Sequence, residues 1–337
     1  MNILKKHWIL VVVLLILSPS QSFALDIDFL MVYTKDARIA MGGETAMKNE
    51  INSMIHEVNI VLSNSRITHR LRLLGSQEVI YTESGKAQTD LTRLSMQDGF
   101  MDEVLTERDR VGADLVCLIT SNSDSNGVAW PYGSTGPYNG YCTIKLTSDY
   151  WFLGQTRGHL LAHETGHMFG CDHNSDGVGQ PGQGTGQGYQ YWVDIVAYGT
   201  VMAYPSNSIM LHKFVWYYSN PDILQYSIWG YGVPMGVEGE HDCAGKITEN
   251  ASTVAGYRDT IIPDNIVWVD TSKIGAGNGT KAQPYNTVHL GINNVPVGGK
   301  LIFTQELESW EDSQIWAGTI SKPMTIISKG GAMVIGK

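Results

Sequence analysis

The chain has 337 residues and a formal net charge of −10. An acidic surface repels phosphate backbones, which argues against nucleic acid as a partner. Four cysteines, Cys117, Cys142, Cys171 and Cys243, are even in number and admit three disulfide pairings in an exported protein.

Lys5 and Lys6 precede an apolar run from Trp8 to Leu17, and Ser22-Phe23-Ala24 puts small residues at the two positions a signal peptidase reads. Residues 1–24 therefore read as a Sec-type secretory signal of a bacterial extracellular protein. A membrane anchor is the alternative, but about ten apolar residues fall short of the roughly 20 that cross a bilayer. No other segment comes close, so no membrane span is expected after signal removal. Losing two lysines and no acid takes the charge from −10 to −12.

From Leu25 to Tyr33 alternation gives way to an apolar run, the pattern of a buried strand. Met47, Ile51, Met54, Ile55, Val58 and Val61 recur at three- and four-residue spacing, which predicts an amphipathic helix over residues 44–64 packing on a sheet. Arg70 to Tyr81 reads as a strand, Asp98 to Val111 as a helix, and Ala113 to Thr120 as a further strand. That βαβ order implies parallel strands with crossover helices, and roughly 230 residues suffice for a full core. Residues 177–188, with six glycines in twelve positions, read as a loop beside any cleft.

The chemistry concentrates at His163-Glu164-Thr165-Gly166-His167-Met168-Phe169-Gly170-Cys171-Asp172-His173, which fills every fixed position of H-E-x-x-H-x-x-G-x-x-H. Residues four apart on a helix lie one above the other, so His163 and His167 can face a single ion. A third ligand on the next helical turn would lie too far away. Gly170, free of a Cβ, lets the chain turn back and bring His173 round. Three neutral imidazoles suit Zn²⁺ and leave a fourth tetrahedral position for water, the pattern of a catalytic site. Glu164, beside them, is the candidate general base for that acidified water. Cys171 is not counted as a ligand, because a thiolate would close the position water needs.

This run resembles the zinc signature of the metzincin metalloproteases. Tyr198-Gly199-Thr200-Val201-Met202-Ala203-Tyr204-Pro205 resembles their second signature, a methionine-bearing turn beneath the zinc, and implies Met202 as an apolar floor under the imidazoles. In the astacin and serralysin branches a tyrosine at the spacing of Tyr204 approaches the metal; here that role and a packing role are both open. The finer resemblance, over most of residues 25–258, is to bacterial reprolysin-like peptidases related to adamalysin. Tyr33-Thr34-Lys35-Asp36-Ala37-Arg38, Met101-Asp102-Glu103-Val104, Gly112-Ala113-Asp114-Leu115-Val116, Tyr218-Ser219-Asn220-Pro221-Asp222 and Glu249-Asn250-Ala251-Ser252-Thr253-Val254-Ala255 carry it. Reprolysins place aspartate after the third histidine, whereas this chain has Asn174, which keeps the shape and loses the charge. The resemblance implies an α/β fold of the zincin type: a twisted mixed sheet, an active-site helix and a Met-turn. It also places Gly127-Val128-Ala129-Trp130 as an edge strand above the cleft, where an extended substrate could add by backbone pairing; an ordinary hairpin strand is the alternative.

Beyond Arg258 the character changes. Pro263-Asp264 marks a linker over residues 259–266, and residues 267–337 are β-rich. The stretch from Gly275 to Val288, with Gly291-Ile292, resembles the opening coil of a right-handed parallel β-helix. A solenoid needs several stacked coils, so this segment is either an incomplete β-helix or a small β appendage. The expected function is a secreted zinc endopeptidase acting on protein or peptide substrates. The alternatives are a carbohydrate-active or adhesive β-helix protein with a processing peptidase domain, and a zinc-binding module without catalysis.

Overall fold

A computed structural model of the chain describes residues 24–146, 155–175, 184–204, 212–258, 266–273, 277, 279, 281, 283–304 and 323–328. Its elements begin with β1 (Asp26–Thr34), α1 (Lys35–Met41), α2 (Glu44–Asn64), β2 (Arg70–Val79), α3 (Ala87–Ser95), α4 (Asp102–Val111), β3 (Leu115–Thr120), β4 (Gly127–Ala129) and β5 (Tyr141–Lys145). They continue with α5 (Arg157–Met168), β6 (Gln190–Val193), β7 (Val196–Gly199), β8 (His212–Phe214), β9 (Asn220–Tyr226), β10 (Gly232–Met235) and α6 (Cys243–Val254). Last come β11 (Ile266–Val269), α7 (Val288–Asn294), β12 (Lys300–Phe303) and β13 (Thr325–Ser328).

The main sheet has the order β2-β1-β3-β5-β4, with all neighbours parallel except β4, which runs antiparallel to β5 on the edge. Alternation along the central strands feeds two cores. Ile27, Phe29, Met31 and Tyr33 of β1 pack with Met47, Ile51, Met54 and Val58 of α2 and with Leu161 and Ala162 of α5. Leu30 and Val32 face the other way, toward Leu91 and Leu94 of α3 and Val104 of α4. Helices on both faces explain why β1 reads as a continuous apolar run.

Two elements differ from the sequence reading. The helix expected from Asp98 starts at Asp102, because Met101 takes a left-handed φ of 56° and the Asp102 carboxylate accepts from the Asp98 and Gly99 N–H groups. The glycine-rich run also behaves differently at its end. Residues 177–183 lie outside the described ones, but Gly186 and Gln187 form bridges to His241 and Asp172 instead of looping out.

The four cysteines are buried thiols that fall into two neighbouring pairs. Cys117 and Cys142 are register partners on β3 and β5, and the Cys171 Sγ lies 3.6 Å from the carbonyl of Cys243. Toward the C-terminus, β11, β12 and β13 pair in parallel and in chain order, around Val267, Val269, Ile292, Val295 and Leu301. Among the described residues no helix is long and apolar enough to cross a membrane. The signal-sequence expectation falls on residues 1–23, outside the described ones, and Ala24.

Candidate metal centre and active site

Helix α5 carries the core of the site. Thr156 caps its start by accepting from the His159 N–H, and the helix ends where Gly170 adopts a φ of +92°. A Cβ on Gly170 would also come within 2.9 Å of the Asn250 amide, which donates to the Phe169 carbonyl from α6. Glycine is therefore required both by backbone angle and by the close approach of α6. The turn brings His173 back, and the Nε2 atoms of His163 and His167 each lie 3.1 Å from His173 Nε2.

The chemistry of these three nitrogens fits a cation. His163 Nδ1 lies 2.9 Å from the Val201 carbonyl, and His167 Nδ1 lies 2.9 Å from the Cys171 carbonyl. A carbonyl can only accept, so each Nδ1 carries the proton and each Nε2 presents a lone pair to the shared point. One proton on His173 Nε2 could satisfy at most one of the two contacts. A metal ion satisfies all three lone pairs. The electrostatics agree: burial first, then the neighbouring imidazoles, pushes His163 well below the usual histidine range and His167 down to about 4. Both rings are thereby held neutral, as metal ligands must be. Among the described residues this triad is the one group of three or more His, Cys, Asp or Glu placed to hold an ion.

Glu164 follows His163 on the same helix and is 4% exposed. Its Oε2 is buried with no hydrogen-bond partner, and burial raises its pKa to about 8. That buried Oε2 is a polar atom which a polar group entering beside it would satisfy.

The segment carrying Val201 and Met202 packs against α5. Val201 supplies the carbonyl that orients His163, and Met202 is fully buried with its sulfur against Gly166. A Cβ on Gly166 would lie 2.4 Å from that sulfur, so the glycine lets the methionine rise to the helix. Tyr218 completes the floor, donating from its hydroxyl to the Ala162 carbonyl at 2.6 Å. Asn174 clasps the turn at two points: its Oδ1 accepts from Tyr204 N at 2.6 Å and its Nδ2 donates to Tyr204 O at 3.2 Å. An ionised aspartate could make only the first of these bonds, which gives the asparagine a physical rationale. The Tyr204 ring stands edge-on to His173 and His163, with centroids 4.4 Å and 5.6 Å away. The Cys171 thiol faces Cys243 and takes no part in the triad.

Several supporting residues have no motif to reveal them. Gly188 passes so close beneath the Met-turn that a Cβ would meet the Met202 backbone carbon at 2.4 Å and Ala203 N at 2.5 Å. Backbone cannot swing aside as a side chain can. Gly188→Ala is therefore expected to destabilise the protein by about 1–3 kcal/mol through overpacking and to weaken metal retention, read by thermal unfolding with and without chelator. His159, one helical turn before His163, is 3% exposed, and burial takes its pKa down to about 4. Its ring lies 5.3 Å from that of Phe214, on the segment beyond the Met-turn. Such contacts join residues far apart in the chain and leave no local pattern.

Comparison with known proteins adds an independent line. The peptidyl-Asp metalloendopeptidase of Stenotrophomonas maltophilia is 32% identical over 242 residues, covering 69% of this chain and 52% of that protein. The protein of the same name from Xanthomonas campestris pv. campestris is 31% identical over 239 residues, with the same coverage. The chain thus spans about half the length of the curated relatives it matches. A solved chain from "Structure of a chaperone-substrate complex" shares the fold with a TM-score of 0.54 and 22% identity, covering 70% of this chain and 39% of that one. The profile Reprolysin_5, metallo-peptidase family M12, matches residues 25–215, which include the whole histidine triad, Glu164 and the Met-turn. With the triad geometry and that match in hand, the chain belongs to metallo-peptidase family M12, among its bacterial reprolysin-like members.

Proposed function

We propose that the protein is a secreted zinc endopeptidase. The observation that carries this reading is the convergence of three neutral imidazoles next to the unpartnered carboxylate oxygen of Glu164. His163, His167 and His173 would hold the metal, and zinc bound there would supply Lewis acidity for a peptide carbonyl and an attacking water. Glu164 would take the water's proton and later pass it to the leaving amine. Burial favours the protonated carboxyl, which suits a group that must hold a proton between those two steps. The edge strand β4, antiparallel to β5, offers backbone groups along which an extended peptide could align. The aromatic edge of Tyr204 would flank the same position.

The reading extends to compartment and organisation. Residues 1–24 would direct export, residues 25–258 would form the peptidase domain, and residues 259–266 would link it to the β-rich segment 267–337. The in-order parallel pairing of β11, β12 and β13 supports a short β-helix-like stack for that last part.

Relatives named peptidyl-Asp metalloendopeptidase suggest peptide bonds at aspartate as the substrate class. A panel of fluorogenic peptides differing at one position is expected to show turnover of the Asp peptide at least about tenfold above its Asn and Ala counterparts, the size of a charge-recognition effect. Turnover should vanish with chelator and return with zinc. Equal cleavage across the panel would remove the aspartate assignment, and cleavage insensitive to chelator would remove the metallopeptidase reading.

A further inference from the structure

Strand β4 runs directly over the carboxylate of Glu164, and the contact is made at a residue with no side chain. A Cβ built on Gly127 would lie 2.4 Å from Glu164 Oε1, 2.7 Å from Cδ and 2.9 Å from Cγ. All three distances are shorter than real carbon contacts allow. Gly127 does not have a left-handed φ, so the backbone does not demand glycine there. What demands it is space.

The strand has little room to move away. Before Gly127, the Asn126 carbonyl accepts from Lys145 N at 2.6 Å; after it, Trp130 N donates to the Tyr141 carbonyl at 3.0 Å. The Trp130 indole donates to Ser95 Oγ, and Tyr132 N donates to the carbonyl of His167 at 2.9 Å, tying the strand's continuation to the metal-binding helix itself. Alternation sets the facing: Ala129 packs with the core that includes α5, Val128 packs with the opposite core, and Gly127 shares the side of Ala129. Position 129 accommodates a methyl group and position 127 does not. Glu164 is the softer partner, because a side chain rotates more cheaply than a paired strand shifts.

We infer that Gly127 is a positioning residue for Glu164, its missing side chain reserving the space in which the carboxylate stands beside the histidine triad. The inference rests on the reading of Glu164 as the general base. A methyl group at 127 would be relieved by rotation of Glu164 out of its place, so the fold and the histidines would survive while proton transfer failed.

The test uses the full chain carrying Gly127→Ala, assayed on a fluorogenic peptide together with zinc content and thermal unfolding of the metal-free protein. The expected result is a fall in kcat of about tenfold or more with KM within about threefold, since the lost interaction belongs to the reacting step and not to substrate binding. Zinc should remain at one per chain, and the unfolding midpoint of the metal-free protein should stay close to that of the unsubstituted chain. A kcat within about twofold of the starting value, a change confined to KM, or loss of zinc would each overturn the inference. Should Gly127→Ala fail to fold, adding Glu164→Ala must restore folding, because the clashing atoms are then gone; a double variant that still fails would place the clash elsewhere and end the proposal. Glu164→Gln assayed in parallel separates the two levels. Retained turnover there defeats the base reading, whereas lost turnover there with normal turnover in Gly127→Ala defeats only the role of Gly127.

Discussion

Glu164→Gln is expected to lower turnover by about 10²–10⁴-fold while leaving one zinc per chain, a loss of about 3–5 kcal/mol of transition-state stabilisation. The amide keeps the shape of the side chain but cannot take a proton from water. Glu164 makes no hydrogen bond through Oε2 in the fold, so its substitution removes no structural partner there. Its burial carries the same message, because a carboxyl whose pKa is raised to about 8 resists ionisation and costs the fold stability at neutral pH. The sign follows from linkage: a folded-state pKa above the unfolded one gives stability that is full below the unfolded value and is lost as pH rises toward 8. The glutamine variant carries no such charge, so its metal-free form should be at least as stable as the parent at neutral pH. Peptide turnover, metal analysis and thermal unfolding on the same sample check all three expectations. Turnover within a few-fold of the parent would mean that another group acts as the base.

His173→Ala is expected to abolish stoichiometric zinc. His163 and His167 share one helix and would remain as a two-nitrogen site, but the atom that both approach at 3.1 Å would be gone. The consequence for stability is measurable apart from activity. A metal present at about a thousand times its dissociation constant adds about 4 kcal/mol to the folded state. The parent should therefore lose stability on chelation, and His173→Ala should unfold at the same midpoint with or without chelator. Full zinc occupancy in that variant would exclude the three-ligand arrangement.

The two substitutions probe opposite sides of one design. Carbonyls of Val201 and Cys171 fix the tautomers of His163 and His167, so the lone pairs are aimed before any ion arrives. Met202, Gly166 and Tyr218 hold the helix from below, and Asn174 fastens the segment after His173 to the Met-turn. Preorganisation of this kind places the metal site on a helix and a clasped turn instead of a loose loop.

Much of this was legible in the chain because its signals are local. Apolar spacing in residues 44–64 follows from the pitch of a helix, and the observed α2 spans Glu44–Asn64. The spacing of His163, His167 and His173, with Gly170 between, encodes one helical turn and one reversal, and such short-range geometry needs no knowledge of the rest of the fold. The run from Leu25 to Tyr33 marked a buried strand for the same reason: side chains on both faces must be apolar when helices cover both.

Other features depend on residues that meet only after folding. Composition allowed three cysteine pairings, and it took the register of β3 on β5 to set Cys117 beside Cys142. The glycine-rich run looked like an external loop, yet Gly188 lies against the Met-turn backbone. Asn174 read as a departure from the family pattern, and its reason became visible only when Tyr204 presented both a donor and an acceptor to it. Gly127 gave no sign of being different from any strand glycine until Glu164 was found against it. The sequence by itself determined which residues are candidates to bind a metal and carry a proton, because candidacy follows from side-chain type and local spacing. The tertiary structure decided which atoms they touch and how little room they have, because packing and desolvation arise from contacts between segments far apart in the chain.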